Sequence, residues 1–247
     1  MTDGAWTALS GLIGQQRLLD VTANNIANAS TPGFRGDAVV FKEVLTRANG
    51  RTASPSMRYS TIDTISLNRS QGAIETTGRA LDVSLPEQGF LAVQTPQGER
   101  YTRTGRLEVG SDLVLKGPGG HPVLGANRAP ITLPSAAAAA NVQISEDGAV
   151  SANGAPVGQL LLVEFTDPTA LERESPTILR STAKSGTAQQ STGRLVTESL
   201  EASNVSAVKG MVDLVSIGRA FDACQKVLEG MRDAGSRGVS TIITPRG

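Results

Sequence analysis

A chain of 247 residues is long enough for one large domain or two modest ones with a real core. Its 23 Lys+Arg balance 23 Asp+Glu, which removes the electrostatic reason to expect nucleic acid or an anionic membrane surface as partner. The 27 glycines and 3% aromatic residues suit a turn-rich β protein and exclude a core built on aromatic anchors, Trp6 being the only tryptophan.

From the N-terminus, the spacing predicts a helix over residues 2–27. Trp6, Leu9, Leu12 or Ile13, Leu19, Ala23 and Ile26 fall three or four apart, with Gln16 interrupting the stripe. Asn28-Ala-Ser-Thr-Pro-Gly33 ends it, because the residue before Pro32 avoids the α region and Gly33 permits a positive φ. Residues 35–74 are polar with weak periodicity, and read as extended or irregular and ordered only against something else.

The middle is β-patterned. Leu81-Asp-Val-Ser-Leu85 and Phe90-Leu-Ala-Val-Gln94 alternate, and each is followed by a Pro- or Gly-bearing turn. Pro130, Pro134 and the alanines at 136–140 form a connector too short to nucleate a lone helix in water. Val142-Gln-Ile-Ser145 precedes the turn Glu146-Asp-Gly148, after which Ala149-Val150 resumes the strand. Gln159-Leu-Leu-Leu-Val-Glu-Phe165 reads as one central strand.

A second helix is expected over residues 206–233. Val208, Met211, Val215, Gly218, Phe221, Cys224 or Gln225, Leu228 and Met231 recur at three- and four-residue intervals, close to a heptad seam. Ser203-Asn204 stands where a cap would, and Gly235 and Gly238 lie beyond the expected end. Gly11, Gly14, Gly210, Gly218 and Gly230 each cost about 1 kcal/mol relative to Ala, so both helices depend on packing. Two arrangements stay open: the terminal helices cover each other, or both lie on the β domain.

Two motifs carry a resemblance. Val21-Thr-Ala-Asn-Asn-Ile-Ala-Asn-Ala-Ser-Thr-Pro-Gly-Phe-Arg35, with Asn24, Asn25, Asn28, Thr31, Pro32, Gly33 and Phe34, resembles the N-terminal signature of the flagellar rod and hook family. Leu200-Glu-Ala-Ser-Asn-Val205, with Ser203 and Asn204, followed by Met211-Val-Asp-Leu-Val215 and Arg219-Ala-Phe221, resembles its C-terminal signature. Between them Gly89-Phe-Leu-Ala-Val-Gln94, Tyr101-Thr-Arg-Thr-Gly-Arg106, Gly120-His-Pro-Val-Leu-Gly125 and Gly158-Gln-Leu are similar to the β domain of proximal rod members. Distal rod members share much of this, but tend to be longer and commonly carry Gln-Arg-Ala-Tyr-Glu where this chain has Gly218-Arg-Ala-Phe-Asp222.

The resemblance implies an α+β fold, with a mainly-β central domain flanked by N- and C-terminal helices that pair as a coiled-coil-like assembly domain. The implied division is residues 1–34 with 200–247 for assembly, 35–75 as an extended linker and 76–199 as a β-rich outer domain. It further implies a structural subunit whose partners are other rod proteins, copies of itself and the flagellar type III export gate. The implied location is the rod within the periplasm, reached through the flagellar channel without a cleaved signal; the N-terminus shows no Sec-type signal. Packing between subunits is assigned to Trp6, Leu9, Ile13, Leu19, Ile26, Val208, Met211, Leu214, Val215, Phe221, Leu228 and Met231. Asn24, Asn25 and Asn28 either join helices or cap the break. Phe41-Lys-Glu-Val-Leu45 matches the family's gate-recognition element, through Phe41 and Leu45, or is an ordinary packing turn.

Catalytic and metal chemistry are not expected. His121 is the only histidine and sits in a Gly120–Pro122 turn, and Cys224, the only cysteine, lies on a helix seam where a small buried hydrophobe is the ordinary role. Glu146, Asp147 and Asp63 could pair as glycan-cleaving carboxylates, but Glu146-Asp-Gly is turn chemistry. Gly117-Pro-Gly-Gly120 lacks the Lys-Ser/Thr of a phosphate loop. The expected protein is not an enzyme and uses no cofactor, nucleic acid or small-molecule substrate. A secreted β-domain binding module and a peptidoglycan-acting enzyme are the rival classes.

Overall fold

The computed structural model describes residues 2–46, 57–86, 88–139 and 141–243, and their side chains except at 2–8, 41–46, 57–64, 136, 138 and 234–243. Chain order is α1 (Thr2–Ala27), β1 (Asp37–Thr46), β2 (Met57–Leu67), β3 (Ile74–Thr76), β4 (Val83–Ser84), β5 (Phe90–Thr95), β6 (Gly98–Thr102), β7 (Glu108–Val109) and β8 (Leu115–Lys116). Next come α2 (Ala136–Ala139), β9 (Val142–Ile144), β10 (Ala149–Ala152), β11 (Ala155–Gln159), β12 (Leu162–Glu164), β13 (Glu172–Arg173) and β14 (Leu179–Arg180). The last elements are β15 (Gln189–Gln190), β16 (Val196–Thr197), β17 (Ser199–Glu201) and α3 (Ala207–Ile243). The fold is α+β, with a mainly-β centre between two terminal helices. Two compact units divide it: α1, the β1–β2 pair and α3 form one, and residues 27–36 with 67–206 form the other.

In the β unit, six antiparallel strands run in the order β13-β14-β6-β5-β12-β15. Both faces of this sheet are buried. On β5, Leu91 and Val93 enter one core with Leu107, Leu115, Val123 and Ile131, while Phe90 and Ala92 enter a second with Tyr101, Val163 and Phe165. A strand with two buried faces needs apolar residues in succession, which is why Phe90-Leu-Ala-Val93 is continuous. In the second core Phe165 stands edge-on to both Phe90 and Tyr101, with ring centroids 5.9 and 4.7 Å away.

Three expectations are corrected. Residues 159–165 do not form one strand: β11 ends at Gln159 in a three-stranded sheet, and β12 starts at Leu162 in the six-stranded one. The intervening amides bond elsewhere, Leu160 to the Gly148 carbonyl (2.8 Å) and Leu161 to that of Leu124 (2.9 Å). Helix α3 runs to Ile243, so Gly235 and Gly238 lie inside it. Each glycine weakens a helix by about 1 kcal/mol without breaking it, and no proline intervenes before Pro245. Finally, Ser203 and Asn204 do not cap α3, which begins at Ala207. Ser203 Oγ accepts from the Val205 amide (3.2 Å), and Asn204 is committed to segments far away in sequence.

Among the described residues no helix is long and apolar enough to cross a membrane. The alanine tract forms the single turn α2.

Candidate assembly site

The two helices share one unit and meet at their adjoining ends. A Cβ added at Gly210 would stand 2.6 Å from Ile26 Cγ1, so glycine is what lets α3 approach α1 there. Half-buried positions on α1 include Leu12, Leu19 and Ile26, seven residues apart. On α3 they include Ala207, Gly210, Leu214, Ile217, Phe221, Cys224 and Leu228, alternately three and four apart. That is a heptad pattern.

A second apolar face of α3 is exposed: Val208 is 73% exposed and Val212 65%, with Met211 and Val215 beside them. The residues expected to form one seam therefore divide. Leu19, Ile26, Leu214, Phe221 and Leu228 are half-buried. Leu9, Ile13, Val208, Met211, Val215 and Met231 are exposed. The backbone of Trp6 lies in α1, and its side chain is outside the described residues. The sequence pattern blurred two interleaved frames, one through 208, 211 and 215 and one through 207, 210 and 214, and crossed between them after Gly218.

The two signature motifs meet in the β unit. Asn28 and Thr31 close the turn after α1, the Thr31 amide donating to the Asn28 carbonyl (3.1 Å) and the Phe34 amide to that of Thr31 (3.1 Å). Gly33 has φ +72°, and a Cβ there would lie 2.6 Å from Thr104 Cα. Its amide donates to the Glu201 carbonyl at 2.7 Å, while Thr104 Oγ1 donates to the Pro32 carbonyl at 2.8 Å. Phe34 is buried, with the Arg173 guanidinium 4.5 Å over its ring. Asn204 Oδ1 accepts from the Gly36 amide (2.8 Å), and its Nδ2 donates to the Ser70 carbonyl (2.8 Å). Val205 is half-buried.

At the centre of this junction lies a buried ionic triad. Arg35 Nε donates to Glu201 Oε1 at 3.3 Å, and Arg103 Nη2 donates to Glu201 Oε2. Arg103 also reaches the Pro86 and Gly89 carbonyls, and the Gly72 amide donates to Glu201 Oε1 at 3.3 Å. All three side chains are at most 4% exposed. Sequence reading missed the triad, although each member sits inside a quoted motif. Its signal is a charged residue among small and apolar neighbours, as in Leu200-Glu-Ala202.

In the helical unit, Asn25 matches a peptide group. Its Nδ2 donates to the Asp37 carbonyl (2.8 Å) and its Oδ1 accepts from the Asp37 amide (2.9 Å). Asn24 is on the exposed side of α1. Phe41 and Leu45 fall on β1, their side chains outside the described residues. A cleft of about 260 Å³ in the β unit is lined by Thr31, Pro32, Arg106, Leu107 and Pro118. Arg79 at its edge is engaged by Asp82 (3.2 Å) and the Leu107 carbonyl.

Comparison with known proteins places this architecture. Residues 7–35 match the family model "Flagella basal body rod protein", residues 86–152 "Flagellar hook protein FlgE/F/G D1 domain", and residues 196–235 "Flagellar basal body rod FlgEFG protein C-terminal". The flagellar basal-body rod protein FlgF of Escherichia coli (strain K12) is 35% identical over 250 residues, covering 94% of each chain. FlgF of Caulobacter vibrioides is 30% identical with 93% of each chain covered. The rod protein FlgG of Bacillus subtilis (strain 168) is 30% identical, covering 92% of this chain and 94% of its own. The two signature motifs interlock within the β unit, and the two terminal helices belong to the other compact unit. The chain belongs to the flagellar basal-body rod protein family, and within it the sequence is FlgF-like.

Proposed function

We propose that this chain polymerises with other rod proteins and with copies of itself through its helix pair, as a non-catalytic part of the torque-transmitting shaft. The observation that carries the reading is the second apolar face of α3, where Val208, Met211, Val212 and Val215 are all more than half exposed. One face of α3 is half-buried within its own unit, so the exposed one is available to a neighbouring helix. The same reading assigns Leu9, Ile13 and Met231 to contacts between subunits, and Leu19, Ile26, Leu214, Phe221 and Leu228 to the pair itself.

The FlgF-like sequence supports a proximal place in the rod. The subunit passes through the flagellar export gate into the periplasm without signal cleavage, with Phe41 and Leu45 as its gate-recognition residues. The test is deletion of the gene in its source bacterium, followed by electron microscopy of purified envelopes. A truncated rod without hook, restored by the wild-type gene, is expected; complete rods in the deletion strain would refute the axial role.

A further inference from the structure

Helices α1 and α3 meet at Ile26 and Gly210, and half-buried positions continue from there to Ser10 on α1 and to Leu228 on α3. The two therefore run antiparallel, and residues equally far from this contact lie at one level: Asn24 with Val212, and Arg17 with Arg219. Their outer faces carry opposite patterns. On α3 the exposed face is apolar at Val208, Met211, Val212 and Val215 and charged beyond, at Arg219, Asp222 and Lys226. On α1 it is polar near the contact, at Asn24, Asp20 and Arg17, and apolar further off, at Leu9 and Ile13.

A second copy stacked in parallel at the same level would lay the α3 valines on Asp20 and Asn24 and bring Arg219 against Arg17. The first contact desolvates polar groups without partners, and the second sets like charges together. Displacement along the helix axis removes both conflicts. The apolar patch on α1 is centred about 15 residues from Ile26 and that on α3 one or two from Gly210, a difference of about 20 Å at about 1.5 Å per residue.

We propose that the Val208–Val215 patch of α3 docks on Leu9 and Ile13 of a second copy displaced by about 20 Å along the helix axis. The proposal rests on the assembly reading above and adds to it the partner surface and the stagger. Two different patches meet in such a contact, so it is heterologous, and the displacement carries each added copy along the axis instead of closing a ring at one level.

The test links copies, not the helices of one copy. A deletion strain co-expresses two Cys224→Ser chains, one with Ile13→Cys and the other with Val212→Cys; a control strain replaces Ile13→Cys by Asn24→Cys. Isolated basal bodies are oxidised mildly, disulfide-linked dimers are quantified by peptide mass, and electron microscopy scores the rods. A disulfide needs Cα atoms within about 7 Å, so the 13–212 dimer is expected to exceed the 24–212 dimer by at least about tenfold. Equal yields, or an excess of the 24–212 dimer, would overturn the stagger and leave the assembly reading standing. Complete rods with neither dimer would overturn both. If the cysteine chains build no rods, charged variants decide: Ile13→Lys and Val212→Glu should each block rod completion, and Ile13→Lys/Val212→Glu should recover it. Single variants that complete their rods, or a double variant no better than the singles, would overturn the proposal.

Discussion

Ile26 of α1 lies directly over Gly210 of α3, with only 2.6 Å between its Cγ1 and the place a Cβ at position 210 would occupy. An alanine is the better helix former by about 1 kcal/mol, so propensity alone favours Gly210→Ala. The collision with Ile26 outweighs that gain, because a contact this short requires the helices to separate or Ile26 to change rotamer. At Gly11 an added Cβ would meet nothing within 4 Å, so Gly11→Ala keeps the propensity gain. Helicity and thermal midpoint, followed by far-ultraviolet circular dichroism, should rise for Gly11→Ala and fall for Gly210→Ala.

Gly33→Ala tests the signature turn. At φ +72° an L-residue is strained, and the Thr104 backbone 2.6 Å away cannot yield as a flexible side chain would. A loss of about 3 kcal/mol is expected in urea unfolding of the β unit. A change below about 1 kcal/mol would mean that the turn is free to adopt another conformation.

Glu201→Gln leaves Arg35 and Arg103 buried without their shared countercharge. Breaking a buried pair by removing one partner costs about 3–5 kcal/mol, more than the pair contributes when compared with apolar replacements. The Glu201→Gln/Arg103→Met double variant should therefore be more stable than Glu201→Gln alone. Equal stabilities in denaturant titrations would show that Arg103 does not depend on Glu201.

Burial first, and the Glu99 carboxylate second, push the Tyr101 phenol up to about 12. Its hydroxyl donates to Glu99 Oε1 at 3.1 Å. Because the folded value lies above the ordinary 10.0, this contribution to stability is complete below pH 10 and lost as pH rises toward 12. A phenolate absorbance step near pH 12 should be present in the wild type and missing in Tyr101→Phe. A Tyr101 step at pH 10 would contradict the buried assignment.

The broad plan was legible in the sequence because helix and strand periods differ and the turns carry Gly and Pro. The heptads on α3 were visible too, but three- and four-residue steps fit both the Val208–Met211–Val215 frame and the Ala207–Gly210–Leu214 frame, and only the packed helices distinguish them. The break in the 159–165 run was hidden for a similar reason. Leu160 and Leu162 enter one core and Leu161 and Val163 the other, the same alternation as on β5, so the run looks like one strand although its backbone passes from the three-stranded sheet to the six-stranded one. The Arg35–Glu201–Arg103 triad joins positions 35, 103 and 201, a long-range pairing that no local pattern encodes.

The central claim is that the exposed face of α3 joins subunits while the half-buried face holds the helix pair. Val208→Asp/Val215→Asp changes only exposed positions, whereas a charge at Leu214, Phe221 or Leu228 also weakens the pair. The most direct measurement complements a deletion strain with Val208→Asp/Val215→Asp and images its envelopes, with the purified variant's circular dichroism recorded alongside. A wild-type spectrum together with rods that fail to complete is the predicted result. Complete, hook-bearing rods built with this variant would contradict the claim.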